Sequence, residues 1–137
     1  MSLFKIFDVA GSGMTAQALR LNTVSSNLAN ANSVSGDPQK AYRAREPVFA
    51  AVLSGVQKDP SAVGVRVSGV TEKQTPPEKL YDPGNPMANK NGYVYQSNVN
   101  PIEEMANMIS ASRTYQNNAQ VMKTAKQLLL ATLRLGQ

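Results

Sequence analysis

The sequence predicts a mainly α-helical protein with a small β region. Apolar residues recur every seven positions near the N-terminus, and a long stretch without proline or glycine follows Pro101. Seven of the eight prolines lie in residues 33–98, which excludes long helices there. We therefore expect an N-terminal helical segment (1–32), a central segment of a few strands and long Pro/Gly/Asn-rich loops (33–98), and a long C-terminal helix (99–137). The two terminal helices are expected to pair as a coiled coil.

The N-terminal segment is predicted to be helical to about residue 31. Gly11 and Gly13 each weaken a helix by roughly 1 kcal/mol relative to Ala, so a kink or a close backbone contact is expected there. The seven-residue repeat contains two interleaved series, Leu3, Ala10, Gln17, Val24 and Ala31 in one and Phe7, Met14, Leu21 and Leu28 in the other.

The stretch "SNLANANS" (26–33) lies where this repeat ends. It could be a capped helix terminus, a polar binding site, or a surface that packs only against other chains. Its three asparagines, Asn27, Asn30 and Asn32, fall largely off the apolar seam. Amides can satisfy the free carbonyls of a helix end or form hydrogen bonds across an interface. We favour the first and third readings together: the stretch ends the helix and meets other subunits there.

Three strands are predicted in the central segment. Residues 63–70 alternate valines and then change register at Ser68–Gly69, which indicates a strand with a bulge. Residues 46–53 suit a second strand or a short helix. In residues 89–97, an Asn-Gly pair precedes "YVY", which indicates a tight turn entering a third strand. The proline-rich residues 74–89 are expected to form a long loop.

The C-terminal helix has a clear entry and several apolar faces. Asn100 suits the N-cap, Pro101 the first helical position and Glu103 the third position of a capping box. The helix is expected to run for about 35 residues, or ~52 Å. One stripe comprises Met108, Ser112, Tyr115, Ala119, Met122, Ala125, Leu129 and Leu133, and a second begins with Ile102, Met105 and Ile109. A single partner helix covers one side only, so the remaining apolar surface predicts assembly with other chains.

The composition disfavours catalysis and ligand binding. The chain has no His, Cys or Trp, which removes the commonest general base, the thiol nucleophile and the usual zinc ligands. The adjacent pair Glu103–Glu104 lies where the helix dipole favours acids, and we interpret it as part of the cap. The sequence therefore predicts no enzyme, no metal or other cofactor and no small-molecule substrate.

Charge and hydropathy argue against nucleic acids and membranes as partners. The net charge of +5 is spread over the three segments as +1, +2 and +2, without the dense basic face that nucleic-acid binding requires. The small cluster of Tyr42, Arg43 and Arg45 is interpreted as a solvated face or an inter-subunit contact. No stretch approaches the ~20 apolar residues of a membrane span, and the N-terminus is unlike a secretory signal peptide. We expect no membrane insertion and no cleaved signal.

The two ends of the chain resemble a known family. "FDVAGSGMTAQALRLNTVSSNLANANS" is similar to the N-terminal signature of bacterial flagellar axial proteins, the rod and hook group. "NPIEEMANMISASRTYQNNAQVMKTAKQLLLATLRLGQ" resembles their C-terminal signature. The short central region and "YDPGNPMANKNGYV" are most similar to the proximal-rod type of the flagellar basal-body rod family. "SVSGDPQKAYRAR" replaces the Thr-x-Gly-Tyr turn of many axial proteins, so contacts of hook subunits are not transferred.

The resemblance implies a structural subunit of the bacterial flagellar basal-body rod, in its proximal part. Such subunits are exported by the flagellar type III export apparatus without a cleaved signal peptide. They assemble with copies of themselves and other rod proteins into a hollow, periplasm-spanning drive shaft that transmits motor torque. Their terminal helices form its inner wall, and they tend to be disordered before assembly.

The repeat, the stripe and the resemblance together predict the residues of the subunit interface. They are Met14, Leu21, Val24, Asn27, Leu28, Asn30 and Asn32 in the first helix, and Met108, Tyr115, Ala119, Met122, Leu129 and Leu133 in the last. The alternative is a soluble helical binding module, such as an export adaptor or chaperone, which would use the same faces as a groove for a partner. A stable soluble dimer would favour that alternative, whereas filamentous assembly would favour the rod.

Overall fold

The chain forms two long helices joined by two small antiparallel sheets. The computed structural model describes residues 3–52 and 63–135. Helix α1 spans Leu3–Ala29 and helix α2 spans Pro101–Leu135, so roughly half of the chain is helical and both predicted helices are confirmed. The strands between them are β1 (Val34–Ser35), β2 (Arg45–Val52), β3 (Gly64–Glu72), β4 (Glu78–Tyr81) and β5 (Tyr93–Gln96).

Helices α1 and α2 pack against each other and run antiparallel. Gly13 of α1 lies against Asn118 of α2. Asn27, which is fourteen residues after Gly13, bonds to Glu104, which is fourteen residues before Asn118. By that register Leu3 falls opposite residue 128, so the last turns of α2 extend past the described start of α1. The coiled-coil geometry of this pair stays a prediction.

The glycines of α1 permit a close approach between the helices. Helix α1 is uninterrupted through Gly11 and Gly13. A Cβ atom added at Gly13 would lie 2.8 Å from Nδ2 of Asn118, whereas one added at Gly11 would meet nothing within 4 Å. The expected close contact is therefore made at Gly13, and Gly11 faces open space.

Asparagines cap both helices. The Oδ1 atom of Asn100 accepts hydrogen bonds from the N–H groups of Ile102 at 3.0 Å and Glu103 at 3.4 Å, which confirms the predicted N-cap. At the other end of the connection, the Asn30 side chain donates to the carbonyl of Ser26 at 2.8 Å. The stretch "SNLANANS" thus ends α1, and the Asn30 side chain adds a second hydrogen bond to a carbonyl of the last turn that already accepts one from the Asn30 N–H.

Strands β2 and β3 form a hairpin alongside α1. Val48 is opposite Gly69 and Phe49 is opposite Val67, so Ser68 is the extra residue of a bulge, as the sequence predicts. Residues 46–52 form a strand rather than the short helix that was the alternative, and residue 53 lies outside the described residues.

The other sheet has the order β1-β5-β4, and two of its strands, β1 and β4, differ from the sequence prediction. Residues 74–89 were expected to be a loop, but Glu78–Tyr81 form β4, in which Leu80 pairs with Val94. Prolines on both sides keep this strand to four residues at the edge of the sheet. The two-residue strand β1 was not predicted either, since its pairing with β5 depends on tertiary contact.

The interior is built from small side chains. The buried apolar residues of the described chain are alanines and valines only, namely Ala10, Ala16, Val24, Ala31, Ala41, Ala44, Val94, Val99, Ala111 and Ala125. Hydrophobic stabilisation grows with the apolar area removed from water, at roughly 25 cal/mol per Å². A core of this kind gives the single chain little of it.

We expect Gly92→Ala to destabilise the β4–β5 region. Gly92 has φ of +77°, and an added Cβ atom would lie 2.9 Å from Cε2 of Tyr81. A left-handed conformation costs a non-glycine residue roughly 1–2 kcal/mol, before any clash. Denaturant unfolding followed by the near-UV signal of the tyrosines should show a lower midpoint. Gly84→Ala, where the nearest atom is 3.8 Å away, is the matched control, and equal midpoints would contradict the prediction.

Candidate subunit interface

Asn27 is the most completely bonded side chain of the predicted interface, and its bonds are to its own chain. Its Nδ2 atom donates to the carbonyl of Arg45 at 2.9 Å and to Oε2 of Glu104 at 3.0 Å. Its Oδ1 atom accepts from the backbone N–H of Arg45 at 2.9 Å and from the hydroxyl of Tyr42 at 3.0 Å. The side chain is 0% exposed, and both donors and both lone pairs of the amide are used.

The Asn27 network joins three parts of the molecule. Asn27 lies near the end of α1, Arg45 begins β2, and Glu104, only 6% exposed, lies in the first turn of α2. The role of Glu104 is therefore not limited to a favourable interaction with the helix dipole. Its carboxylate also accepts a buried hydrogen bond from Asn27 of α1. This geometry removes Asn27 from the candidate surface for other chains.

The Tyr42–Arg45 cluster belongs to the same network. The Tyr42 hydroxyl lies 3.2 Å from Oγ of Ser26, and the Arg45 guanidinium lies over the Tyr42 ring, 5.7 Å from its centroid. The Nε atom of Arg45 is 3.8 Å from a carboxylate oxygen of Glu72 in β3. The Tyr42 hydroxyl is bonded within its own chain, whereas the Arg45 side chain is 51% exposed, so a solvated face or an inter-subunit contact stays a prediction for Arg45.

A second asparagine, which sequence reasoning missed, holds the base of the hairpin. The Oδ1 atom of Asn98 accepts from the N–H of Ala44 at 2.7 Å, and its Nδ2 atom donates to the carbonyls of Thr75 at 2.7 Å and Lys73 at 3.2 Å. These partners lie more than twenty residues away along the chain. The sequence carries no local signal for them.

The stripe predicted on α2 faces α1 as far as Ala125, and Leu129 and Leu133 lie past the described start of α1. Ala111 and Ala125 are buried on this side of the helix. Of the predicted interface residues, Val24 is buried within the chain, as Asn27 is. Met14, Leu21, Leu28, Asn30, Met108, Tyr115, Ala119, Met122 and Leu129 are partly buried, and Asn32 and Leu133 are exposed. Their role in contacts with other chains stays a prediction.

An apolar ridge lies on the side of α2 that faces away from α1. It consists of Ile102, Met105 and Ile109, which are 75%, 50% and 56% exposed. Their spacing of three and four residues places them on one face of the helix. We call these three residues the outer ridge. Four further apolar side chains near the end of α2 are also exposed, Val121, Leu128, Leu130 and Leu133.

An apolar groove runs along the helix pair. It has a volume of about 360 Å³, and the residues that line it are Gly11, Met14, Thr15 and Ala18 of α1 with Tyr115 and Met122 of α2. We call it the helix groove. It brings together three of the residues that the sequence predicted for the interface: Met14, Tyr115 and Met122.

The described residues show neither a metal-binding cluster nor a membrane-spanning helix. Residues 3–52 and 63–135 contain no group of three acidic side chains placed to hold a metal ion. Over the same ranges, no helical stretch combines the length and the apolar character needed to cross a lipid bilayer.

Comparison with known proteins identifies the family. Residues 7–36 match the family model described as flagella basal body rod protein, and residues 90–135 match the flagellar basal body rod FlgEFG protein C-terminal model. The flagellar basal-body rod protein FlgC of Salmonella typhimurium is 48% identical over 137 residues, and the FlgC protein of Escherichia coli O157:H7 is 49% identical over 139. Both alignments cover 100% of each chain. The FlgC protein of Aquifex aeolicus is 42% identical over 96% of each chain.

The chain belongs to the FlgC family of flagellar basal-body rod proteins. It is a structural subunit of the bacterial flagellar rod, as the resemblance in its terminal segments implied. In this FlgC-family chain the bond between Asn27 and Glu104 links the two regions that the family models match. Tyr42 and Arg45 complete the network from the segment between those regions.

We expect Asn27→Ala to destabilise the fold strongly. The substitution leaves the buried Glu104 carboxylate and the partly buried backbone groups of Arg45 without their partner, and each loss at a buried group costs about 1–3 kcal/mol. Denaturant unfolding should show a loss of about 3 kcal/mol or more. Asn32→Ala is the control, because Asn32 is exposed, and it should change the free energy of unfolding by less than about 0.5 kcal/mol. Equal effects of the two substitutions would contradict the central role of Asn27.

Proposed function

We propose that this subunit builds the inner wall of the proximal rod by self-association and by contact with other rod proteins. In this proposal the antiparallel helices pair as a coiled coil within a hollow shaft that transmits motor torque. The observation that carries the proposal is the apolar surface of α2 that α1 leaves uncovered, the outer ridge above all. The interface residues predicted from the sequence contribute on the sides next to it, with Asn27 and Val24 excluded.

The distribution of apolar side chains supports assembly over an isolated monomer. Inside the chain the buried apolar residues are alanines and valines, whereas isoleucine, leucine and methionine side chains of α2 lie at the surface. A helix that is apolar on several sides gains stability when most of its sides are covered. Apolar side chains on an exposed face of this kind mark a site of interaction with another protein.

The same distribution supports folding that is completed on assembly. Ordering a residue costs about 1–2 kcal/mol of backbone entropy, and a small core offsets little of it. The parts of the terminal segments that lie away from the Asn27 network, at the start of α1 and the end of α2, therefore stay partly disordered until neighbouring subunits cover them. This state suits passage through the flagellar type III export apparatus without a cleaved signal peptide, the route that the resemblance implies.

The side-chain hydrogen bonds between different parts of the chain support a role in transmitting torque. The Asn27 network connects α1, α2 and the β2–β3 hairpin, and Asn98 connects the base of the hairpin to the entry of α2. Buried hydrogen bonds have strict geometry, so the parts they connect keep their relative positions. Torque applied to the helices is thereby passed to the sheets. The alternative of a soluble export adaptor or chaperone is disfavoured by the FlgC relatives.

We expect the purified monomer to be less helical than the assembled subunit. Helices α1 and α2 hold 27 and 35 residues, or 62 of 137. Circular dichroism of dilute monomer should give a helical fraction clearly below that proportion, and the fraction should rise on polymerisation. A fully helical, protease-resistant monomer would contradict folding on assembly.

We expect Ile109→Asp to abolish incorporation into the rod and motility. The side chain is exposed in the single chain, so the substitution should leave the monomer intact but bury a charge at the proposed interface. Ser110→Asp places the same charge one position along the helix, outside the outer ridge, and should be tolerated. Immunoblots of isolated basal bodies and swimming assays provide the measurement. Normal swimming of the Ile109→Asp strain would count against the outer ridge as an interface.

A further inference from the structure

The outer ridge and the helix groove lie at different heights on the helix pair. The ridge spans residues 102–109 of α2, and the groove meets α2 at Tyr115 and Met122. Their centres are about 13 residues apart, or ~20 Å along the helix axis. Two complementary surfaces separated in this way suit two copies of the chain that are displaced along the axis.

We infer that the outer ridge of one subunit docks into the helix groove of a second copy of the same chain, displaced by ~20 Å along the helices. This inference rests on the proposed function and names the partner and the register of the same surface. The ridge supplies three aliphatic side chains from one face of a helix, and the groove receives them as other amphipathic helices are received by apolar grooves.

The shape of the groove suits a helix ridge. Its α1 residues are spaced by three, four and seven positions, so they lie on one face of the helix. Gly11 and Ala18 have no side chain or a small one, which makes the groove deeper at these two positions. A Cβ atom added at Gly11 would meet nothing within 4 Å, so this part of the floor is open. Its volume of about 360 Å³ is at the lower end of the range for small-molecule sites, and it lacks the convergent charged groups that such sites use. A few aliphatic side chains from a neighbouring helix match this space and this chemistry.

The charges of α2 favour a displaced copy over an aligned one. Residues 101–112 contain two acidic and no basic residues, whereas residues 113–135 contain four basic and no acidic residues. Glu103, the exposed acid, lies beside the ridge, where its carboxylate is 3.5 Å from Nζ of Lys73 and stays 50% exposed, and Lys123 and Lys126 lie just beyond the groove. A displacement along the axis brings the acidic end of one copy to the basic part of the next. Complementary charges of this kind set the register of an interface.

The docking also explains why an assembly built on this contact can keep adding copies instead of closing as a dimer. The ridge and the groove are different surfaces, so a contact between them is heterologous and each added copy presents a new free ridge and a new free groove. An interface between two identical surfaces would instead stop at a dimer. The geometry therefore agrees with growth of an open helical assembly.

The chain has no cysteine, which makes thiol cross-linking a clean test. Ile109→Cys and Ala18→Cys chains are expressed together in one cell, basal bodies are isolated, and a short thiol-specific cross-linker is added. Each chain then carries a single thiol, so a cross-linked product with twice the mass of the chain joins two copies. We expect a species of about twice 14.7 kDa. Replacing the Ala18→Cys chain by Gln39→Cys, at an exposed loop position, should abolish it.

Each result of this test has a distinct meaning. If both chains enter the rod but the groove pair gives no cross-link, the docking is overturned while the rod assignment stands. A product from the Ile109→Cys chain alone would indicate contact between identical ridges and would also overturn the docking. Absence of the unsubstituted chain from the basal body would overturn the proposed function itself.

If the cysteine variants fail to assemble, a pair of substitutions that compensate each other in size tests the docking instead. Ala18→Leu fills the groove and should abolish swimming. Ile109→Ala shortens the ridge and should restore swimming when both substitutions are present in one chain. Matched pairs of this kind reveal contact because their effects are not additive. Additive losses in the double variant would overturn the docking.

Discussion

The side chain of Asn27 determines how the two helices and the hairpin are placed relative to one another. Its amide uses both donors and both lone pairs within the chain, on Arg45, Tyr42 and Glu104. Because each partner is on a different part of the fold, none of these parts can shift without leaving a buried polar group unpaired. The cost of an unpaired group is larger than the gain from most single contacts in this small core.

The interior and the surface of the molecule have opposite characters. Small alanine and valine side chains and hydrogen bonds hold the single chain together, while the larger apolar side chains of α2 lie at the surface. In a monomeric protein this distribution would be a liability for aggregation. In the proposed assembly it reserves apolar burial for contacts between chains, and it leaves the position of each element within the chain to directional polar bonds.

Much of the fold could be predicted from local patterns. The helix bounds followed from the seven-residue repeat, the cap at Asn100 and the absence of proline after Pro101, and the bulge at Ser68 followed from the change of register among the valines. Strand β4 was missed because its four residues are extended only through pairing with β5. The partners of Asn98 could not be predicted, since side-chain bonds over long chain distances leave no periodic trace in the sequence.

The sequence by itself determined the class of the protein: two long terminal helices, a small β region, a composition without His or Cys and the terminal signatures of a flagellar rod subunit. These properties depend on periodicity and composition, which are local. Only the tertiary structure decided which side of each helix stays free. It turned Asn27 from a surface residue into a buried connection to Glu104 and left the outer ridge uncovered. The physical reason is that exposure depends on where α1 and the hairpin lie against α2, and buried hydrogen bonds between distant residues hold them there.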